Sequence, residues 1–112
     1  MRRLASATLL FATVLLSACQ PQPLPPDKAE YAGHWRGGGV DLVIYPEGRA
    51  EYTKQEGKGT IEVSGPVGWK GEDFVIAVMV VKTKFDVQQP PHEVDGIWMM
   101  TVDGIELTRV QQ

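Results

Sequence analysis

One cysteine, Cys19, is all the thiol chemistry in this chain of 112 residues. A single thiol excludes an internal disulfide and any cysteine-rich metal site. Histidine is nearly as scarce, with only His34 and His92. Zinc sites draw three or four ligands from closely spaced motifs, and neither histidine has a partner at such spacing. A composite of His34, Asp41 and His92 would form only if the fold gathered them, so no metal and no cofactor are expected. Beyond the first 18 residues a single serine remains, Ser64, in the turn-like Ser64-Gly65-Pro66 with no base beside it. The carboxylates are scattered and sit mostly at turns, without the facing pair that glycoside hydrolysis needs. Gly37-Gly38-Gly39 leads into the strand-like segment at Val40, whereas a phosphate cradle leads into a helix N-terminus. With no convergent acid, base or nucleophile, no catalytic residues are expected and the chain reads as a non-enzyme.

Long apolar runs are also missing. The run Leu4 to Leu16 covers 13 positions, short of the ~20 that a spanning helix requires. Arg2 and Arg3 precede it and the small residues Ser17 and Ala18 follow, which is the build of a signal peptide. Nothing after Cys19 approaches that length; the most apolar later stretch, Phe74 to Val81, has the size of a strand. An integral helical membrane protein is not expected.

The tetrapeptide Leu16-Ser17-Ala18-Cys19 resembles the lipobox of bacterial lipoproteins, and the resemblance covers residues 1–20. It implies a diacylglyceryl group on the Cys19 thiol, cleavage between Ala18 and Cys19, and a further acyl chain, such as palmitate, on the new amino group. The partners so implied are the lipoprotein-processing enzymes and the lipid bilayer. Each buried methylene contributes ~0.8 kcal/mol, so one chain holds a protein marginally and two or three hold it durably. Gln20, where an aspartate would favour the inner membrane, implies the outer membrane facing the periplasm.

Positive charge is in short supply once the leader is removed. Without Arg2 and Arg3, nine basic residues face fourteen acidic ones, a formal charge of −5. That balance argues against nucleic acid as a partner, and against a polybasic grip on anionic lipid. Proline, by contrast, is concentrated: Pro21, Pro23, Pro25 and Pro26 lie together. Such a segment reads as an extended spacer reaching up to ~30 Å. The expected organisation is a signal peptide over 1–18, a lipidated cysteine and proline-rich linker over 19–29, and one small domain over 30–112.

What remains is β in pattern. Val40, Leu42 and Ile44 alternate with Asp41 and Val43, then Pro46-Glu47-Gly48 turns the chain towards Ala50 and Tyr52. Further turns are expected at Glu56–Gly59, at Ser64-Gly65-Pro66 and at Gly71-Glu72-Asp73. The next strand is the long run Phe74 to Val87, broken by Gln89-Pro90-Pro91-His92. Asp103-Gly104 marks a final tight hairpin. Phe74 to Val81 is apolar on both alternating faces, as in a central strand or one whose second face meets a partner. Trp35-Arg36-Gly37 and Trp69-Lys70-Gly71 are each followed by apolar residues five, seven and nine positions after the tryptophan. Two matching hairpins with both tryptophans on one shared core follow from that spacing.

The expected fold class is all-β: a small antiparallel meander of about seven to eight strands, forming a barrel or a two-layer sandwich. Gly33-His34-Trp35 also resembles the opening of lipocalin-like barrels, although the chain is shorter than a typical lipocalin. Most of the large aromatics must fill the core. Trp98, with the adaptable Met99 and Met100 beside it, is the expected partner or ligand contact. The functional expectation is a membrane-anchored envelope lipoprotein whose domain contacts another envelope component without catalysis. The alternative is a lipocalin-like barrel that binds a small apolar ligand.

Overall fold

The computed structural model describes residues 20–110; the leader, Ala18 and Cys19 lie outside them, as do Gln111 and Gln112. Nine strands follow one another: β1 (Gly33–Gly37), β2 (Val40–Ile44), β3 (Arg49–Glu56), β4 (Gly59–Lys70), β5 (Asp73–Val78), β6 (Val81–Phe85), β7 (Val87–Val94), β8 (Ile97–Val102) and β9 (Ile105–Arg109). All pair antiparallel in the spatial order β6-β5-β4-β3-β2-β1-β9-β8-β7. The sheet is an all-β meander curled into a half-barrel, as the alternation implies. Its first and last strands meet in the middle, where Trp35 pairs with Arg109 and Arg36 with Thr108.

Strand alternation places one row of side chains inside. Trp35 lies opposite Leu42, Leu42 opposite Tyr52, and Tyr52 opposite Val63 across four consecutive strands. Phe74, Ile76, Phe85, Met100 and Leu107 complete this core. Phe74 stacks on Phe85 at 5.0 Å between ring centres, and Tyr52 meets Phe85 at 4.7 Å. Burying each large apolar side chain contributes about 1.5–3 kcal/mol, so these rings dominate what a small domain has to offer. The two tryptophan hairpins do face one core: Trp35 is buried and Trp69 packs against it. Trp35 pairs with Leu42, seven residues on, whereas Trp69 pairs with Phe74, five residues on. Both offsets are odd, so the inward face survives the difference in turn length.

Strands β6 and β7 are the two edges, joined only through Asp86. Carboxylates staple that corner. Asp73 accepts from the Val87 amide at 2.7 Å and Asp103 from the Asp86 amide at 2.9 Å. The edges themselves are blunted: β6 is five residues long with Lys82 and Lys84 exposed, and β7 carries Pro90 and Pro91.

Four local expectations are corrected. Ser64-Gly65-Pro66 is no turn; it lies inside β4, which pairs with β3 as far as Pro66 and with β5 from Val67 onward. A Cβ on Gly65 would stand 2.2 Å from the Ala77 carbonyl oxygen, so the close approach of β5 requires glycine there. The run Phe74 to Val87 holds β5 and β6, split by a turn at Met79-Val80, and ends on the first residue of β7. Pro90 and Pro91 do not interrupt a strand; they sit within β7, at an irregularity where its register with β8 shifts. The expected seven to eight strands thus become nine among the described residues.

The fourth correction concerns the linker. From Gln22 onward it packs on the domain as a strap. The Leu24 amide donates to the Pro46 carbonyl at 3.0 Å, and the Leu24 side chain touches the core. Pro26–Tyr31 forms a 3-10 turn, started by a proline where no amide is needed, and Tyr31 is buried. The Tyr31 hydroxyl donates to the Glu72 carbonyl at 3.0 Å, while Trp35 Nε1 donates to the Tyr31 carbonyl at 2.9 Å. Leucine and tyrosine in the strap bury apolar surface, which a proline spacer alone would not do. Among the described residues no helix is long and apolar enough to cross a membrane.

Candidate functional site

Among the described residues the most exposed large hydrophobic side chains stand at the β5–β6 turn, ahead of Ile61, Val94 and Ile97. Val78 pairs with Val81, and the two residues between them, Met79 and Val80, are 95% and 94% exposed. Val81 and Val78 are exposed as well. A two-residue hairpin turn needs positive φ, which glycine, asparagine and aspartate supply cheaply. The other six hairpins all place a glycine at positive φ in their turns, as at Gly57 and Gly104. Here Met79 takes φ +57° instead, at a cost of about 1 kcal/mol. Backbone strain and apolar exposure therefore coincide at one tip. An open hollow of about 570 Å³ separates the tip from Glu62, Val63 and Ser64 on β4. Lys82 and Lys84 stand behind it on β6.

The structure separates the residues expected to form a contact. Met100 is fully buried in the core, so its place in a contact surface is corrected: β8 alternation turns Met100 and Val102 inward. Trp98 lies on the same inward row, half-buried at the strand's start. The Arg109 guanidinium is held between Trp35 and Trp98, 4.7 Å and 4.9 Å from their ring centres. Burial lowers the pKa of Arg109 from its ordinary value, with Glu30 opposing that shift. Arg109 also donates through Nη2 to the Glu30 carbonyl, which ties β9 to the strap. Trp98 is thus half committed to internal packing, and Met99, on the opposite face, is half-buried.

His34 and Asp41 do come together, hydrogen-bonded between β1 and β2, with Arg36 3.4 Å from the same carboxylate. His92 shares the outer face but stands on β7, three ladder spacings away, or roughly 14 Å. Its Nδ1 lies 2.9 Å from the Pro90 carbonyl. Among the described residues no group of three His, Cys, Asp or Glu is placed to hold a metal. Ser64 lies opposite Glu51, on strands away from either histidine. Glu51 itself is engaged: Arg49 donates to it at 2.8 Å and the Tyr45 hydroxyl at 3.1 Å, and these bonds lower its pKa.

The strap packs on the aromatic residues of β4 and β5. Tyr31 meets Trp69 edge-on at 4.8 Å, and Lys28 lies over Trp69 at 5.5 Å while pairing with Asp27 at 3.1 Å. Burial, helped by the charges of Glu72, Asp73 and Asp27, pushes the Tyr31 hydroxyl up to about 12. Both the Met79-Val80 turn and the strap depart from the expected run and spacer. A valine-rich run with no glycine gave no turn signal, whereas Leu24 and Tyr31 among the prolines were a signal available to be read.

Ala18 and Cys19, the expected processing and lipidation residues, lie outside the described residues. No protein-family model, no curated protein and no solved structure matches this chain.

Proposed function

We propose that this protein is a lipid-anchored envelope lipoprotein whose domain binds another envelope component without catalysis, through the β5–β6 tip. The observation that carries the binding role is the near-complete exposure of Met79 and Val80 on a strained turn. Sealing two such side chains in a partner's pocket gains about 3–6 kcal/mol. That falls at the low end of the ~4–15 kcal/mol lost when two free molecules associate. Confinement to a membrane removes part of that loss, because tethering raises the effective concentration of the partners. A tip this small is therefore suited to a tethered protein. The anchor rests on Leu16-Ser17-Ala18-Cys19. Binding at the tip is favoured over a ligand inside the barrel because Trp35, Leu42, Phe74, Phe85, Met100 and Leu107 fill the inner face.

A photocrosslinking amino acid at Val80 in intact envelopes tests the binding role. It is expected to yield a discrete adduct that the same probe at Lys58, on the β3–β4 turn, does not. Identical products from both positions, or none from Val80, would refute it. Cys19→Ala is expected to move the protein from membranes to the soluble envelope fraction, and retention on membranes would refute the anchor.

A further inference from the structure

The strap sets where an anchor would pull. Gln22 already lies against the domain. Its carbonyl oxygen lies where a Gly48 side chain would stand, 1.7 Å from an added Cβ, so only glycine lets the strap lie across the β2–β3 turn. Two residues further on, the Leu24 amide is bonded to Pro46 of the same turn. Three residue steps separate Cys19 from Gln22, and fully extended they span no more than ~10 Å. The proline-rich segment is therefore a short leash fastened to one end of the domain, in place of a long spacer.

We infer that the β2–β3 turn, Tyr45–Arg49, lies against the bilayer, and that the β3–β4 turn at Gly57-Lys58 is held out from it. This rests on the acylation of Cys19 in the proposed function. Strand β3 joins the two turns over seven residue steps, or roughly 23 Å. The chemistry of the apposed face selects the kind of lipid surface. Arg49 stacks on the Tyr45 ring at 4.2 Å and its guanidinium is bonded to Glu51 at 2.8 Å and Glu47 at 3.4 Å. Its charge is thus outweighed by two carboxylates of the protein itself, and Tyr45 offers an amphipathic ring of the kind that settles at head-group depth. Such a face fits a zwitterionic phospholipid surface and needs no anionic lipid.

The test uses the full acylated protein carrying a fluorophore on Glu47→Cys or on Lys58→Cys. Acylated Cys19 has no free thiol to compete for the label. The probe is a phosphatidylcholine vesicle with nitroxide-labelled head groups. Emission at position 47 is expected to be quenched several-fold more strongly than at 58, and adding anionic lipid is expected to leave that ratio unchanged. Protein that floats with the vesicles yet is quenched equally at both positions overturns the orientation alone. Protein that fails to float overturns the anchor and the orientation together. Ten glycine and serine residues inserted between Cys19 and Gln20 should keep flotation and abolish the contrast. A contrast that persists after that insertion would show that the short leash is not its cause.

Discussion

Phe74 and Ile76 have no exposed surface, while Met79 and Val80, a few residues further along the same apolar run, stand almost wholly in water. The two halves are alike in composition and opposite in fate. The first half pairs with β4 and turns its large residues onto Trp69, Phe85 and Tyr31. The second half runs beside the bend in β4 and then turns, with β6 as its only ladder partner and β6 itself an edge. Hydrophobicity made both halves able to be buried, and only strand order decided which one was. An apolar segment left outside by the topology, on a turn that glycine would build at lower cost, is a better guide to a contact than an apolar segment as such.

The sharpest way to break this contrast is to remove side chains from each half. Phe74→Ala is expected to cost about 3–5 kcal/mol, while Val80→Ala stays within about 0.5 kcal/mol. Chemical denaturation measures both, and comparable losses would erase the distinction between the halves. A smaller effect separates strap from spacer. Leu24→Ala should cost about 1–2 kcal/mol because its side chain is partly buried against the core. An unchanged denaturation midpoint would return the segment to the status of a linker.

Tyr31 gives the strap a pH signature. Its hydroxyl titrates near 12 in the folded protein against 10.0 when free. The fold therefore favours the neutral phenol. That contribution is complete below pH 10 and is lost as the pH rises towards about 12. Tyr31→Phe should cost about 1 kcal/mol at neutral pH through the lost bond to Glu72. It should also flatten the alkaline decline between those two values, leaving the part due to Tyr52, which burial also raises. A stability profile as steep as that of the parent would exclude Tyr31 as its source. The smallest effect is expected at the tip. Met79→Gly should raise stability by up to about 1 kcal/mol by relieving the positive φ, and should weaken crosslinking from position 80. A loss of stability there would mean that Met79 supports the hairpin.

Much of the architecture was legible because alternation with period two and glycine-bearing turns are local signals. The strands at Val40–Ile44 and Ile97–Val102, the Asp103-Gly104 hairpin and the shared core of Trp35 and Trp69 all follow from spacing. Where structure departs from the sequence pattern, the physical cause is shared. Ser64-Gly65-Pro66 looks like a turn because its residues are turn formers, yet Gly65 is there to let Ala77 pass close by. Met79-Val80 looks like strand because its residues are strand formers, yet it is the turn. Met100 looked available for contact because it neighbours Trp98 and Met99, and alternation on β8 sent it inward.

The candidate site divides along the same line. The lipobox-like segment, the acidic balance after the leader and the scarcity of catalytic side chains are properties of the chain, readable without coordinates. Which apolar residues stay in water, and which prolines lie on the domain, depends on strands distant in sequence meeting in space. Local propensity and residue spacing determined the β class and the turn-rich meander, and the anchor is what the lipobox resemblance implies. Only tertiary packing decided that the linker is a strap and that Met79 and Val80 are a tip, because burial is a property of neighbours and the neighbours come from elsewhere in the chain.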